Sequence, residues 1–497
     1  MYESHLEKSL ESALINQLTS GISQWTYRPD IKTEDDLWSN FRKKLNQNNL
    51  AVLKGIEITD REMDAIKVYM CEQAASSYKA AMWLAGEHGI AQIRLVREDA
   101  SLGEVMLMAI NNREVAGGRS SYEVINQYTS YAGERQRRFD VTLLINGIPL
   151  IHVELKSRSH PYMDAFRQIT KYCKEAKFRG LFSFVQMFVV SNESETRYIA
   201  ANINGEMGEK FLTPWVDENN KPVNGCLDFA REALNIPMAH LMVGKYAVID
   251  EANRRQVILR PYQIHAIRRV RDATRKGQSG YVWHTTGSGK TLTSYTVTKN
   301  LLDIPAVDKA IFLIDRRDLD RQTSDDFMSY AKNDDIDVDR TGSTLELEEK
   351  LLQNTKTAIV TTVQKMQNII RKYSGTALSK KDETKKEKLK NKRLAFVVDE
   401  CHRTVSPITK KEIDKFFGST LKPNFWFGFT GTPIFAENKK SAVGNLARTT
   451  EELYGPVLHK YTIKEAIHDG SVLGFQIQTM GKGTETLQEL AVNNNIC

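Results

Sequence analysis

Apolar residues near the start of the chain, in MYESHLEKSLESALINQL, recur at helical spacing and predict an amphipathic first helix that carries Glu7 and Glu11. Helical patterning continues to about residue 115, where NNREVAGGRS reads as a loop. The period then changes. FDVTLLI and IPLIHVELK are β-branched runs on either side of an Asn-Gly dipeptide, and RGLFSFVQMFVVSN predicts more strand after a helix in PYMDAFRQITKYCKEAKF. Patterning weakens from about 195 to 245, with TPWVDENNKPVNG the most loop-like part, which places a boundary near 245. Beyond Arg260 the runs GYVWH, KAIFLIDR, TAIVTTV, LAFVVDE and NFWFGFTG alternate with helical segments, the order of a parallel sheet with helices on both faces. The expectation is an α/β protein: a mixed sheet with helices over 1–245, a parallel α/β lobe over 246–475, and a tail over 476–497 that has lost the pattern.

Composition narrows this picture modestly. A chain of 497 residues suggests several domains, and 41% hydrophobic with 26% charged residues is ordinary for globular protein. No apolar run is long enough to span a bilayer, and the acidic N-terminus lacks the features of a secretory signal, so a cytoplasmic location is expected. Five scattered cysteines without a C-x-x-C pair indicate neither a zinc site nor a disulfide framework. A net charge of +7 permits nucleic-acid binding without requiring it. The run SKKDETKKEKLKNKR, 379–393, has no apolar face and reads as a solvated insertion loop, with a DNA-tracking patch as the alternative.

The strand pair carries the first candidate chemistry. Glu154 and Lys156 are two apart, so on a strand they share a face with His152, while Ile151, Val153 and Leu155 face the core. Asp140 opens the preceding strand, with Thr142 on its face and Val141, Leu143 and Ile145 inward. Two carboxylates and a lysine suit Mg²⁺-dependent phosphodiester hydrolysis: the acids hold the metal and the lysine orients water and steadies negative charge. Register is the constraint. A two-residue Asn-Gly turn would put Ile145 opposite Ile148 and Asp140 opposite Val153, leaving Glu154 pointing away. A three- or five-residue loop, for example Asn146 to Ile148, is therefore expected. Gln168 and Tyr172, four apart on the following helix, share a face and reach the same cleft.

The second constellation lies in the parallel lobe. TTGSGKT, which contains Thr286, Gly287, Ser288, Gly289, Lys290 and Thr291, follows an apolar run and precedes a helix, as a phosphate-binding loop requires. Lys290 is expected at the β- and γ-phosphates of ATP and Thr291 on Mg²⁺. DECH follows LAFVV, so Asp399 is expected to hold Mg²⁺ and Glu400 to polarise the attacking water. GFTGTP offers Thr430 and Thr432 as nucleotide sensors, and RPYQ offers Gln263 as an adenine reader. Arg316, Arg317 and Thr361 are candidates for contact with the DNA backbone.

Asp140, Glu154 and Lys156 with Q-x-x-x-Y resemble the RecB-like branch of the PD-(D/E)xK nucleases, except that Phe139 stands where that signature has proline. The downstream motifs resemble the first RecA-like lobe of a superfamily 2 helicase. Together, FDVTLLINGIPLIHVELK, RPYQ, WHTTGSGKT, DECHR and GFTGTPIF resemble the restriction (R, motor) subunit of type I restriction-modification enzymes. That resemblance implies a complex with methyltransferase (M) and specificity (S) subunits, ATP-driven pulling of double-stranded DNA, and cleavage at a distant position. It also implies a second RecA-like lobe, which should begin near VLGFQIQ; without it the chain is expected to hydrolyse ATP poorly. Glu7 or Glu11 would correspond to the extra acid some of these nucleases bring to the metal. Two other readings stay open: a stand-alone repair helicase-nuclease, and an idle fragment that only binds ATP and DNA.

Overall fold

The computed structural model describes residues 2–469 apart from 22–23, 116–117, 132–135, 206, 315–321, 333–337, 341, 376–377, 419–421 and 440–445. The expected tail, 476–497, and Arg316 and Arg317 lie outside the described residues.

The first sheet has six strands: β1 (Thr26–Tyr27), β2 (Tyr122–Ser130), β3 (Arg137–Ile145), β4 (Ile148–Leu155), β5 (Met187–Ser191) and β6 (Thr196–Ala200), adjacent in that order. It is mixed: β2, β3 and β4 run antiparallel, and β4 lies parallel to β5. A parallel neighbour needs a crossover, and helix α2 (Tyr162–Lys174) lies in that connection. Helix α1 (Tyr2–Thr19) packs against β3 and β4. Every residue of β4 is buried, so the expected alternation of core and solvent faces is replaced by a sheet covered on both sides. The stretch before residue 115 is less uniformly helical than expected: Ile90–Val96 and Glu104–Asn111 form an antiparallel hairpin.

The β3–β4 connection departs from the expected odd-length loop. Asn146 and Gly147, with φ of 52° and 80°, form a two-residue turn that pairs Ile145 with Ile148 and Leu144 with Pro149. The register then shifts: Leu143 pairs with Ile151, Thr142 with His152 and Val141 with Val153. Leu150 is the extra residue of a β-bulge. The turn is thus shorter than expected while the register is the expected one, because an inserted residue within the strand shifts the pairing as an added loop residue would.

The second sheet is parallel, with seven strands: β7 (Gly280–His284), β8 (Lys309–Ile314), β9 (Val338–Arg340), β10 (Thr357–Thr362), β11 (Leu394–Val398), β12 (Phe425–Thr430) and β13 (Val457–Tyr461). Their spatial order is β9-β10-β8-β11-β12-β7-β13. Hydrophobic burial drives this layer: β8, β10, β11 and β12 are buried at every position, as expected for strands covered on both faces. Thr361 is one of these interior residues, 2% exposed, so it cannot reach a DNA backbone as expected of it. The basic run also differs from its expected loop: Lys380–Lys390 is a helix capped by Ser379, with Leu389 buried and Lys385 paired to the buried Glu348 at 2.9 Å. A single leucine and one buried acid are enough to dock a helix whose remaining surface is solvated. Near the expected boundary, a hairpin of Ala247–Asp250 and Arg255–Ile258 connects the two layers, and one continuous apolar core runs from Leu10 to Phe429.

The tight turn has a measurable requirement. Gly147 is left-handed, and a Cβ added there would lie 3.0 Å from Phe41 Cα. Gly147→Ala should destabilise the protein by about 1–3 kcal/mol, read as a lower midpoint in chemical denaturation; an unchanged midpoint would contradict the turn described.

Candidate functional site

Continuing the bulge-shifted register by one residue from the Val141–Val153 pair sets Asp140 opposite Glu154. Asp140 Oδ2 accepts the backbone N–H of Leu155 at 2.9 Å, which ties its carboxyl to the strand that carries Glu154 and Lys156. Glu154 is completely buried. Gln168 Nε2 donates to its Oε1, and the same amide reaches Tyr172 Oη at 2.7 Å, so the i,i+4 pair on α2 closes over the carboxylate as expected. Lys156 Nζ stands 4.0 Å from Glu154 Oε1 and donates to Leu155 O at 3.0 Å. All five residues singled out from sequence therefore meet at one place. Phe139, in the position of the signature proline, packs on His152 and Phe178 and takes no part in the polar cluster.

The electrostatics of the cluster follow from burial. Desolvation and the neighbouring Glu154 carboxyl push Asp140 well above the usual carboxylate range. Desolvation pushes Glu154 up to about 8, against the opposing pull of Lys156 and with a further upward push from Glu7. Two carboxyls with one lysine cannot both ionise comfortably in a dry pocket, and a divalent cation is the group that would relieve them. No cluster of three or more His, Cys, Asp or Glu with metal-ligand geometry occurs among the described residues. A pair of carboxylates is still a fitting donor set for Mg²⁺, which keeps several of its waters.

Helix α1 supplies the mouth of this site. Glu7 Oε1 accepts the N–H of Ser157 at 3.3 Å, and Glu7, Glu11, Arg138 and Asp140 line one small cavity. Glu11 is instead held by the amides of Asn126 and Gln127. His152, on the same polar face in the sequence pattern, also belongs to the cluster. It is fully buried, its Nε2 lies 3.1 Å from Glu154 Oε2 and its Nδ1 lies 3.0 Å from Thr142 Oγ1. Burial lowers this imidazole to about 4, so it is neutral.

In the parallel lobe, β7 ends in the loop Thr285–Gly289, and a helix spanning Lys290–Leu302 begins at once. Gly287 and Gly289 have φ of 80° and 74°, backbone open only to glycine at low cost. Thr286, Gly287 and Gly289 are exposed, Lys290 and Thr291 half-buried, and Ser288 is buried with its Oγ donating to Thr285 O at 2.7 Å. The loop is braced from the preceding helix, Pro261–Arg275: Tyr262 Oη donates to Ser288 O at 2.6 Å, and Gln263 Nε2 donates to Gly289 O at 3.3 Å and Thr293 Oγ1 at 3.2 Å. Gln263 is thus buried and tied to the loop, and it also lines a cavity of about 300 Å³ beside Gly287–Gly289. That cavity is also lined by Tyr198, Asn202, Phe211, Arg254 and Arg255, residues that no motif marked.

Asp399 and Glu400 follow β11, two strands from β7 with β12 between. Lys290 Nζ lies 3.5 Å from Glu400 Oε1, so the two loops converge. Glu400 has φ of 41°, a left-handed conformation unusual for a side chain of its size, which turns it out of the strand direction. Asp399 is 8% exposed. His402 Nδ1 is 2.8 Å from Thr430 Oγ1, which also accepts the N–H of Thr432 at 3.0 Å. Both threonines of GFTGTP are thereby linked to the DECH loop.

Two family descriptions match this chain: the type I restriction enzyme R protein N terminus over residues 4–206, and the SWI2/SNF2 ATPase over residues 262–494. The SauMSSORF170P type I restriction enzyme endonuclease subunit of Staphylococcus aureus is 36% identical over 469 residues, 94% of this chain and 47% of that protein. The SsaAORF53P endonuclease subunit of Staphylococcus saprophyticus is 34% identical over 95% of this chain and 47% of its own length. A Mycoplasma pneumoniae protein, described as the C-terminal part of the MpnIIP endonuclease, is 33% identical over 216 residues, 41% of this chain and 99% of that one. The chain spans about half the length of the staphylococcal relatives. Among the described residues no helix is long and apolar enough to cross a membrane. Two matched family regions, and relatives aligned along nearly all of its length, establish that this chain belongs to the family of type I restriction enzyme endonuclease subunits.

Proposed function

We propose that this chain is the DNA-cleaving and ATP-driven DNA-translocating subunit of a type I restriction endonuclease. The endonuclease unit covers 1–245 and the first motor lobe 246–475. The observation that carries the reading is the convergence of Asp140, Glu154, Lys156, Gln168 and Tyr172 in a chain that also holds a complete phosphate-binding loop. Its partners are double-stranded DNA and the methyltransferase and specificity subunits, and its compartment is the cytoplasm.

At the nuclease site Asp140 and Glu154 would hold Mg²⁺, which when bound supplies the positive charge that offsets charge developing on the phosphate. Lys156 orients the attacking water and neutralises negative charge beside Glu154. Gln168 fixes the Glu154 carboxylate, and Tyr172 fixes Gln168. Glu7 is the better placed of the two α1 acids to join the site, since Glu11 is occupied by two amides. At the motor site the loop Thr286–Gly289, exposed at Thr286, Gly287 and Gly289, receives the phosphates of ATP, with Gln263 bracing the loop beside the cavity proposed to take the base. Lys290 reaches the β- and γ-phosphates, Thr291 and Asp399 would hold its Mg²⁺, and Glu400 polarises water.

The decisive experiment uses the assembled complex with its modification subunits and circular DNA. Lys156→Ala should reduce Mg²⁺-dependent cleavage at least 100-fold and leave ATPase within about twofold, because its side chain touches only the nuclease cluster. Lys290→Ala should abolish both. Cleavage by Lys156→Ala at the parental rate would refute the nuclease assignment, and full ATPase with cleavage in Lys290→Ala would refute the coupled motor.

A pH dependence follows from Glu154. Its pKa is raised to about 8, so at neutral pH its carboxyl still carries a proton that a cation must displace. Affinity for Mn²⁺ or Mg²⁺ should therefore rise with pH and level off above about 8. Calorimetric titration at pH 6.5 and 8.5 should show a gain of roughly ten- to thirtyfold. Affinity that falls or stays flat over this range would contradict the buried, uncompensated pair.

A further inference from the structure

A histidine lost inside an aromatic core is ordinarily a packing residue, and His152 does sit among the rings of Phe139, Phe178 and Phe188, at centroid distances of 5.0, 5.6 and 6.2 Å. Packing alone would be served as well by leucine. An imidazole with no exposure loses the solvation of both nitrogens, and each must find a partner within the protein. Here Nδ1 meets Thr142 Oγ1 at 3.0 Å and Nε2 meets Glu154 Oε2 at 3.1 Å. The directions are set by chemistry. A neutral imidazole has one N–H, an ionised carboxylate only accepts, and a hydroxyl can donate. In the ionised form of Glu154 that a cation requires, Nε2–H donates to Glu154 and Thr142 donates to Nδ1.

Gln168 holds Oε1 of the same carboxylate and His152 holds Oε2. Each oxygen thus has a donor on the protein side, which fixes the plane of the carboxylate and leaves lone pairs for a cation and for Lys156. We infer that His152, anchored by Thr142, is the positioning residue that sets the orientation of Glu154 for divalent-metal binding. This rests on the nuclease reading proposed above. Partners of this kind around a metal ligand are commonly worth 10- to 100-fold in metal affinity.

The two amide variants of His152 separate positioning from packing. Gln places its amide nitrogen near the position of Nε2 and can donate to Glu154; Asn places its nitrogen near Nδ1 and keeps only the Thr142 side. Mn²⁺ binding to the full chain is measured by calorimetry at pH 8.5 without nucleotide, and folding is checked by thermal melting. His152→Asn and His152→Leu should weaken Mn²⁺ binding about tenfold or more, His152→Gln should stay within about threefold of the parent, and Thr142→Val should weaken it by a smaller factor. Should His152→Asn fail to fold, the pair His152→Gln and Thr142→Val decides the matter. The positioning role is overturned if folded His152→Asn binds Mn²⁺ as tightly as the parent, or if His152→Gln is as weak as His152→Leu. Glu154→Gln is the control: if it retains parental Mn²⁺ affinity, the nuclease reading itself fails, whereas loss in Glu154→Gln with no loss in Thr142→Val or His152→Asn removes only the role of His152.

Discussion

One inserted residue governs the mixed-sheet half, where the nuclease site is proposed. Asn146 and Gly147 reverse the chain in two residues, which by itself would set Asp140 against Val153. A strand has a side-chain period of two, so a shift of one moves a whole set of side chains to the other face. Leu150, the bulged residue, supplies that shift inside β4, and from Ile151 onward His152 pairs with Thr142 and Glu154 falls opposite Asp140. The hydrogen bond from Leu155 N–H to Asp140 depends on the same displacement. Bulges gather beside active sites because they re-aim side chains without lengthening a loop.

The consequence is an electrostatic arrangement that the rest of the unit sustains. Strands β3 and β4 are packed by α1, α2 touches β4, and Phe139, Phe178 and Phe188 form a ring cluster beside them. In that dry setting burial and the Glu154 carboxyl raise the proton affinity of Asp140, burial raises that of Glu154, and the groups that hold Glu154 are the neutral donors Gln168 and His152, with Tyr172 accepting from Gln168. Neutral donors orient a carboxylate without quenching its charge, which leaves the charge for a cation. Lys156 brings opposite charge close to Glu154, and at 4.0 Å it neutralises only part.

The parallel lobe solves a different problem with different material. Its proposed anion site is made of backbone, shaped by glycine dihedrals and by braces behind the loop, Tyr262 on Ser288 and Gln263 on Gly289 and Thr293. The cavity next to that loop is lined in part by Tyr198 and Phe211 from the other half of the chain. Tyr198 is itself tied across the seam, its hydroxyl donating to Leu259 O at 2.7 Å, and His265 meets Val216 O at 2.9 Å. The nucleotide pocket proposed here is therefore shared between the two units, joined by a continuous core.

Local rules made much of this legible in advance. Apolar runs marked β7, β8, β10, β11 and β12, because buried parallel strands are uniformly hydrophobic, and glycine-rich and acidic motifs at their ends marked the motor site. The edge strands β9 and β13 lacked that signal. Asp140, Glu154, Lys156, Gln168 and Tyr172 were legible from spacing, since i,i+2 on a strand and i,i+4 on a helix fix a shared face. What no local pattern encodes is how neighbouring segments register and pack. The bulge at Leu150, the docking of the basic helix through Leu389 and Lys385, the burial of Thr361, and the hold of His152 on Glu154 each depend on partners distant in the fold. Residue types and their periods determined which chemistry the chain carries and on which elements; tertiary packing decided the register, burial and partners that bring that chemistry to one point.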